Sequence, residues 1–245
     1  MVNDEKKVLW VVNYDDLSWF VERAQFANAT GVAIRTDNNL EAALERFHDL
    51  GIRVYGWRWP SSHHDPAMKE AEKVIRLIDK GLDGYYVDPE GAPGKPYDWN
   101  KDGLAELAEE FCSAITAAKP NFEFGTTSHY RAKKIFKKIP WESFFRHTTV
   151  FLPQAYWRVD GGVVGHGIPG DNYRVSLDFW EAAGATRDQI VPMAGELHHS
   201  TPGEIALYTQ EAKNQNVSCL HFYTAREIVK PSVWNAIANA NIDEP

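Results

Sequence analysis

The sequence of 245 residues predicts an α/β protein folded as a single (β/α)8 barrel, also called a TIM barrel. Short apolar runs rich in β-branched and aromatic residues alternate with longer amphipathic segments along the whole chain. The apolar runs are continuous rather than alternating, which is typical of parallel strands covered on both faces. Eight such units in a chain of this length match a closed barrel, so we interpret residues 1–245 as one domain.

Eight apolar runs are the predicted strands. They cover residues 8–12, 31–34, 52–57, 84–87, 122–126, 149–154, 190–194 and 219–223. An open, doubly wound sheet is the alternative for this alternation, and it would place a glycine-rich nucleotide fingerprint after the first strand. Residues 13–18, Asn-Tyr-Asp-Asp-Leu-Ser, contain no glycine, so the barrel is favoured.

Six helical segments have recognisable ends. They cover residues 17–28, 40–50, 66–80, 103–119, 201–216 and 231–241. Asp, Asn or Thr precedes most of them, at Asp16, Asn39, Asp65, Asp102 and Thr201, where a short polar side chain can accept hydrogen bonds from the first turn. The sequence Thr-Pro-Gly-Glu at 201–204 is a predicted capping box, and glycines at 51 and 81 end two of the helices.

Charge and composition exclude several classes of function. A formal net charge of −8 argues against nucleic-acid binding and strong attachment to anionic membranes. No run approaches 18 apolar residues and residues 1–7 lack a signal-peptide core, so we expect a soluble chain without membrane insertion, cytoplasmic or exported by another route. Cys112 and Cys219 provide neither a disulfide framework nor metal spacing and are predicted to be buried thiols.

The most informative segment lies at the end of the fourth strand, where Asp88 and Glu90 are two residues apart. Side chains at i and i+2 of a strand point the same way, with origins roughly 7 Å apart. Two neighbouring acids do not both ionise easily, so one tends to keep its proton near neutral pH. A protonated acid beside an ionised one is the requirement for glycosidic bond cleavage. The alternative is that Asp88 and Glu90 are structural acids, held in ion pairs or capping a nearby helix.

Other polar and aromatic residues lie at the carboxyl ends of the predicted strands, where barrel enzymes place their sites. Glu196 is a third candidate catalytic acid, or else a salt-bridge partner of Arg35 or Arg58. The mixture suits a neutral, polyhydroxylated ligand that stacks on tryptophan and bonds to carboxylates and amides. The predicted ligand-binding residues are Asp15, Arg35, Trp57, Trp59, Tyr86, Gln154, Tyr156, Trp157 and Tyr223.

Histidines at the same end suggest a metal as an alternative, through a metal-dependent deacetylase or amidohydrolase. The pair His198-His199 is adjacent in sequence, so its side chains are expected to diverge, unlike those of a His-x-His strand motif. We therefore predict no metal and no cofactor. Two glycine- and proline-rich loops, 91–101 and 158–171, are predicted to wall a groove or to be plain connections.

The segment 83–90, Asp-Gly-Tyr-Tyr-Val-Asp-Pro-Glu, resembles the Asp-Gly-x-Asp-x-Asp-x-Glu pattern of chitinase-type (family 18) glycosidases. Tyr86 stands where that pattern has its second Asp. The shorter Asp-x-Glu of the lysozyme-like muramidases (family 25) is matched fully by Asp88 and Glu90, and Gln154 and Tyr156 are similar to rim positions of both groups. The resemblance covers about a dozen residues and the order of the strands.

The resemblance implies that Glu90 protonates the leaving oxygen while Asp88 positions the substrate N-acetyl group or stabilises the oxocarbenium-like charge. It also implies that Tyr156 or Tyr223 forms a hydrogen bond to the intermediate that Asp88 stabilises. A second arrangement pairs Glu90 as acid with Glu196 as nucleophile. The expected activity is hydrolysis of an N-acetylhexosamine polymer, with peptidoglycan ahead of chitin or N-glycan. The rival from another class is a catalytically silent carbohydrate-binding barrel.

Overall fold

The computed structural model describes residues 7–159, 162–163 and 167–242. Within these ranges the chain forms a barrel of eight parallel strands, which confirms the predicted fold class. The barrel strands are β1 (Lys7–Val11), β2 (Gly31–Arg35), β3 (Arg53–Arg58), β4 (Gly84–Val87), β5 (Glu123–His129), β6 (Val150–Gln154), β9 (Met193–Ala194) and β10 (Leu220–Phe222). Two further short strands, β7 (Arg158–Val159) and β8 (Gly162–Val163), form an antiparallel hairpin outside the barrel.

The strands follow one another in space in the order β6-β5-β4-β3-β2-β1-β10-β9, and every pair is parallel. A parallel bridge between Phe151 and Ile190 brings the two ends of this sheet together, and the amide of Val191 donates a 2.7 Å hydrogen bond to the carbonyl of Phe151. The carboxyl ends of the strands therefore meet around one rim.

The helices pack outside the barrel. In the described residues they are α1 (Leu17–Phe26), α2 (Leu40–His48), α3 (His64–Asp79), α4 (Ala105–Ala118), α5 (Trp141–His147), α6 (Pro169–Ala183), α7 (Pro202–Asn214) and α8 (Pro231–Asn239). Six of them match the predicted helices. Helices α5 and α6 were not predicted, and α6 begins inside the segment 158–171 that was predicted to be a loop.

Local hydrogen bonds explain where several helices begin. Asp16 accepts from the amide of Ser18, Asn39 accepts from the amide of Ala42, and Thr201 with Glu204 forms the predicted capping box. The predicted caps Asp65 and Asp102 are wrong, because α3 begins at His64 and α4 at Ala105, without a side-chain cap bond at either.

Two apolar layers hold the barrel together. The larger lies between the sheet and the helices, and the predicted buried thiol Cys112 belongs to it. The smaller fills the barrel interior and includes Trp10, Tyr55, Trp57 and Tyr86. Trp10 stacks on Tyr86 at 5.2 Å between ring centroids, and Tyr86 stacks on Tyr55 at 5.1 Å. These large rings fill the barrel interior beneath the rim, as is usual for barrels of this kind.

None of the helices within the described ranges is both long enough and apolar enough to span a lipid bilayer.

Candidate active site

A partly enclosed cavity of about 240 Å³ opens at the carboxyl ends of the barrel strands. Acids, amides and aromatic rings from most of the strands contribute to it. Its lining residues are Trp10, Trp57, Trp59, Asp88, Glu90, Thr127, Gln154, Tyr156, Val159, Met193, Glu196 and Tyr223. Eight of the twelve predicted site residues are in this set, so the structure brings the predicted acids and most of the predicted aromatic residues together.

The backbone on either side of Asp88 and Glu90 is fixed by neighbouring elements. The amide of Asp88 donates a 2.8 Å bond to the carbonyl of Arg58 on β3. The buried hydroxyl of Ser128 donates at 2.7 Å to the carbonyl of Pro89, between the two acids. The carbonyl of Glu90 accepts from the amide of Trp99 at 2.7 Å. Because each residue of the Asp-Pro-Glu turn is held from outside, the two carboxyl groups have a defined mutual position.

The two carboxyl groups share a hydrogen bond, and their environment favours keeping a proton. Burial raises the pKa of Asp88 well above its usual value, and the adjacent Glu90 charge raises it further. Burial also raises the pKa of Glu90, against hydrogen bonds from Asp88 and Gln154 that lower it. Among the described residues no lysine or arginine forms an ion pair with either acid. Burial and the closeness of the two acids therefore favour the protonated form of the pair.

Exposure differs between the two acids. Asp88 is only 5% exposed, whereas Glu90 is partly open to the cavity. The Asp88 carboxyl group accepts a 3.0 Å hydrogen bond from the Gln154 side-chain amide. A ligand entering the cavity thus meets Glu90 more readily, while Asp88 lies behind it with its own partners.

Aromatic rings form the walls of the cavity. Trp57 and Trp59 lie 5.1 Å apart between ring centroids, and Tyr156 stacks on Tyr223 at 5.2 Å with 10° between the ring planes. Burial raises the pKa of both tyrosines, so their hydroxyl groups are neutral and able to donate hydrogen bonds. Gly195 makes room for this pair, since a Cβ there would lie 2.8 Å from two ring carbons of Tyr156.

Glu196 follows strand β9 and lines the same cavity. It is not a partner of Arg35 or Arg58 as the sequence left open, because those two guanidinium groups pair with Asp37 at 2.6 and 2.8 Å. Its ionic neighbours in the described chain are His198 and His199, each with Nε2 at 3.7 Å from Oε2 of Glu196.

The two adjacent histidines do not diverge, contrary to the prediction. Residues Leu197–His199 form a turn of 3-10 helix instead of extended chain, and the imidazole centroids of His198 and His199 lie 3.8 Å apart. The sequence argument against a metal at this position therefore fails on geometry.

Four predicted ligand-binding residues lie outside the cavity lining. Asp15 is exposed on the loop after β1, and Arg35 is held by Asn13 and Asp37. Tyr86 is fully buried in the barrel interior. Its hydroxyl donates to Glu123 at 2.7 Å, towards the opposite end of the strands.

The fourth of these residues, Trp157, is fully buried in the outer core, where its ring lies 5.8 Å from that of Tyr208 on α7. It packs against a helix and is not available to stack on a ligand.

Four lining residues were not predicted as site residues: Trp10, Thr127, Val159 and Met193. The position of Trp10 could have been inferred from the sequence, because residues two apart on a strand share a face. Trp10 and Val8 both point into the barrel. Its indole Nε1 donates to Nδ1 of His221 at 3.0 Å, which orients the ring. Thr127 is one of several polar residues at the end of β5, so its position in the sequence indicated a place in the site less specifically. From the loop 158–171, Val159 reaches the cavity.

No protein-family model matches the sequence, and no curated protein does either. The fold is similar to that of solved structures. A class V chitinase mutant from Nicotiana tobaccum in complex with NAG4 has a TM-score of 0.66 at 9% identity, over 96% of this chain and 98% of that chain. The PgaB (BpsB) glycoside hydrolase domain from Bordetella bronchiseptica has a TM-score of 0.65 at 9% identity, over 98% and 100%.

The spore cortex-lytic enzyme SleL from Bacillus megaterium QM B1551 gives a TM-score of 0.64, also at 9% identity, over 98% of this chain and 75% of that chain. At this level of identity the similarities establish the fold. The resemblance to barrel glycosidases suggested by the fourth strand is thereby confirmed for the architecture.

Proposed function

We propose that this protein is a glycoside hydrolase that cleaves an N-acetylhexosamine-containing polysaccharide. The observation that carries the proposal is the hydrogen-bonded pair Asp88–Glu90, which lines an aromatic cavity at the carboxyl end of the barrel. A carboxyl group that keeps its proton near neutral pH can donate it to a leaving glycosidic oxygen. Three structurally similar proteins, a chitinase, a glycoside hydrolase domain and a spore cortex-lytic enzyme, support the same class.

Glu90 is assigned the role of general acid because it is the more accessible member of the pair. As Glu90 gives the pair's proton to the leaving oxygen, both carboxyl groups become ionised, and hydrogen bonds from the Gln154 side-chain amide stabilise the charge that develops.

Asp88 is assigned the role of orienting the N-acetyl group of the substrate, whose oxygen then attacks the anomeric carbon. Gln154 holds the Asp88 carboxyl group from the side at 3.0 Å. The hydroxyl group of Tyr156 or Tyr223 is a donor on the same wall of the cavity for the acyl oxygen.

An alternative within the same class uses Glu196 as a nucleophile. Glu196 and Glu90 both line the cavity, and both charges raise the pKa of Tyr156, which places that ring near the two acids. A double displacement with an enzyme-bound sugar would follow. The two routes differ in what Glu196→Gln does: it abolishes the second and weakens the first only modestly.

The size of the cavity indicates how a polymer is held. About 240 Å³ is below the roughly 300–1,000 Å³ typical of small-ligand pockets. A single sugar ring therefore occupies the cavity, while neighbouring units lie across the rim near Trp59 and Tyr97, whose rings are 6.1 Å apart. Among polymers, peptidoglycan ranks ahead of chitin and N-glycan, on the strength of the Asp-x-Glu pattern and the similarity to SleL.

The test is release of reducing ends from peptidoglycan and from chitin oligomers by the wild-type protein and by Glu90→Gln. A general acid contributes about 10²- to 10⁴-fold, so the substitution should lower the rate by that factor. Glu70→Gln is the matched control: Glu70 is another buried acid whose pKa is raised by burial, and it bonds to Thr36 away from the cavity. Equal rates in wild type and Glu90→Gln, or no release by either, contradict the proposal.

A carbohydrate-binding barrel without turnover is the second candidate. It is favoured by one observation: Tyr86, where the chitinase-type pattern has an additional acid, is buried and bonded to Glu123. This candidate predicts sugar binding that Glu90→Gln leaves unchanged.

A further inference from the structure

We propose that Glu196, His198 and His199 form a binding site for a divalent transition metal of the zinc type, at the edge of the cavity. Nothing in the similarity to other barrels assigns this site. It stands on the geometry of three side chains and is independent of whether the chain cleaves sugars.

The three side chains converge without bonding to one another. One ligand atom from each lies within 4.8 Å of the other two, and Nε2 of both histidines is 3.7 Å from Oε2 of Glu196. A separation of 3.7 Å is too long for a hydrogen bond between these atoms. It is close to the spacing of two ligands on one tetrahedral ion, because bonds of about 2.0–2.2 Å place ligand atoms roughly 3.3–3.6 Å apart.

The backbone holds this arrangement. The amide of His199 donates to the carbonyl of Glu196 at 3.0 Å, and the hydroxyl of Ser200 donates to the same carbonyl at 3.1 Å. These bonds close the 3-10 turn, in which both imidazole rings lie on the side of the Glu196 carboxylate. The backbone that carries the three side chains is thus fixed by hydrogen bonds that leave the carboxylate oxygens of Glu196 unused.

Burial and charge favour a cation here. The side chains of Glu196, His198 and His199 are 15%, 9% and 29% exposed, so the three are shielded but reachable. The amide of Glu196 donates to the carbonyl of Arg158 at 3.3 Å, and the Arg158 guanidinium group is bound to Glu204 at 2.7 Å. Two imidazoles and one carboxylate are a donor set that zinc accepts, and three protein ligands leave a fourth position for water.

The test is titration of the tag-free full chain with Zn²⁺ by calorimetry and with Co²⁺ by visible absorption. We expect one ion per chain, with the intense absorption of four-coordinate Co²⁺. Alanine at His198 or His199, or Gln at Glu196, should weaken binding at least tenfold while the circular dichroism spectrum stays unchanged.

His64→Ala is the matched control, since His64 also follows a histidine and contacts two carboxylates, Asp65 and Glu110, both at 3.1 Å, but on an exposed surface. This variant should bind like wild type. The proposal is overturned by a wild-type chain that binds no ion, or by variants at His199 and Glu196 that bind as tightly as wild type.

Discussion

The side-chain amide of Gln154 donates a 3.0 Å hydrogen bond to Oδ1 of Asp88, across the carboxyl ends of strands β6 and β4. Burial raises the pKa of Asp88 and of Glu90, whereas hydrogen bonds from Gln154 lower both, because a donor stabilises the ionised form of a carboxyl group. The pH range in which the pair holds a single proton is thus set in part by a neutral residue on a different strand.

Removing that donor should shift the pH dependence of activity. In Gln154→Ala the pKa values of both acids rise, so both limbs of the pH–rate curve of kcat/KM move to higher pH. Gln210→Ala is the control, because Gln210 bonds only to Asn214 on the exposed face of α7 among the described contacts. Unshifted limbs in Gln154→Ala would show that the titrating groups lie elsewhere.

Substitution of Trp59 should affect ligand binding, whereas substitution of Trp157 should affect the stability of the fold. Trp59 lines the cavity and is partly exposed. Trp59→Ala should therefore weaken the binding of an N-acetylglucosamine oligomer about tenfold, equivalent to about 1.4 kcal/mol. The free energy of unfolding should change little. Trp157 is fully buried, so Trp157→Ala should cost about 3–5 kcal/mol of stability. Calorimetry and urea unfolding measure the two effects. A reversal of the two outcomes would place Trp157 in the binding site.

Gly195→Ala should disturb the tyrosine wall. The added Cβ would lie 2.8 Å from the Tyr156 ring and 2.8 Å from the carbonyl of Tyr223, closer than real Cβ contacts allow. We expect the rings to separate and activity to fall at least tenfold. Gly203→Ala is the control, since a Cβ there meets nothing within 4 Å. Equal activity of the two variants, measured at matched stability, would mean that the Tyr156–Tyr223 stack is not needed.

His221 should make the protein less stable in acid. Burial lowers its pKa to about 3, whereas an unfolded histidine titrates near 6.5. Between these values the unfolded chain binds a proton that the folded chain does not, so the free energy of unfolding falls as the pH drops. The slope is up to about 1.4 kcal/mol per pH unit.

His221→Gln should remove about 1.6 kcal/mol of the loss in unfolding free energy between pH 6.5 and pH 5, as measured by urea unfolding. His64→Gln is the control, because neighbouring carboxylates raise the pKa of His64 and its removal cannot reduce the loss. A slope in His221→Gln equal to that of wild type would contradict the assignment of this group.

The barrel could be predicted because its strands are continuous apolar runs and its helix ends carry strong local signals, as at Asn39 and Thr201. Helix α6 escaped prediction because its buried face contains polar residues that interrupt the apolar period. Asn172 donates to the carbonyl of Tyr156 at 3.0 Å, and Ser176 to that of Tyr173 at 2.7 Å. Only the folded chain shows that these polar groups are satisfied.

The acids of the site could be proposed from their spacing, but β4 ends at Val87, so the turn after the strand and the hydrogen bonds that hold it set the positions of Asp88 and Glu90. The directions of side chains beyond the ends of the other strands could not be predicted either. Trp157 lies three residues past β6 and points outwards to α7, whereas Tyr156 beside it faces the cavity. His198 and His199 converge because the chain forms a turn of 3-10 helix there, which we did not predict from the residue pattern.

The most direct test of the central claim compares Glu90→Gln on two substrates: an unactivated N-acetylglucosamine oligomer and an aryl glycoside of the same sugar. An aryl leaving group departs with little protonation, so loss of a general acid harms the oligomer far more than the aryl glycoside. The account predicts a fall in kcat/KM of about 10²- to 10⁴-fold on the oligomer and at least tenfold less on the aryl glycoside. Equal falls on both substrates, or none on either, would show that Glu90 does not protonate the leaving oxygen.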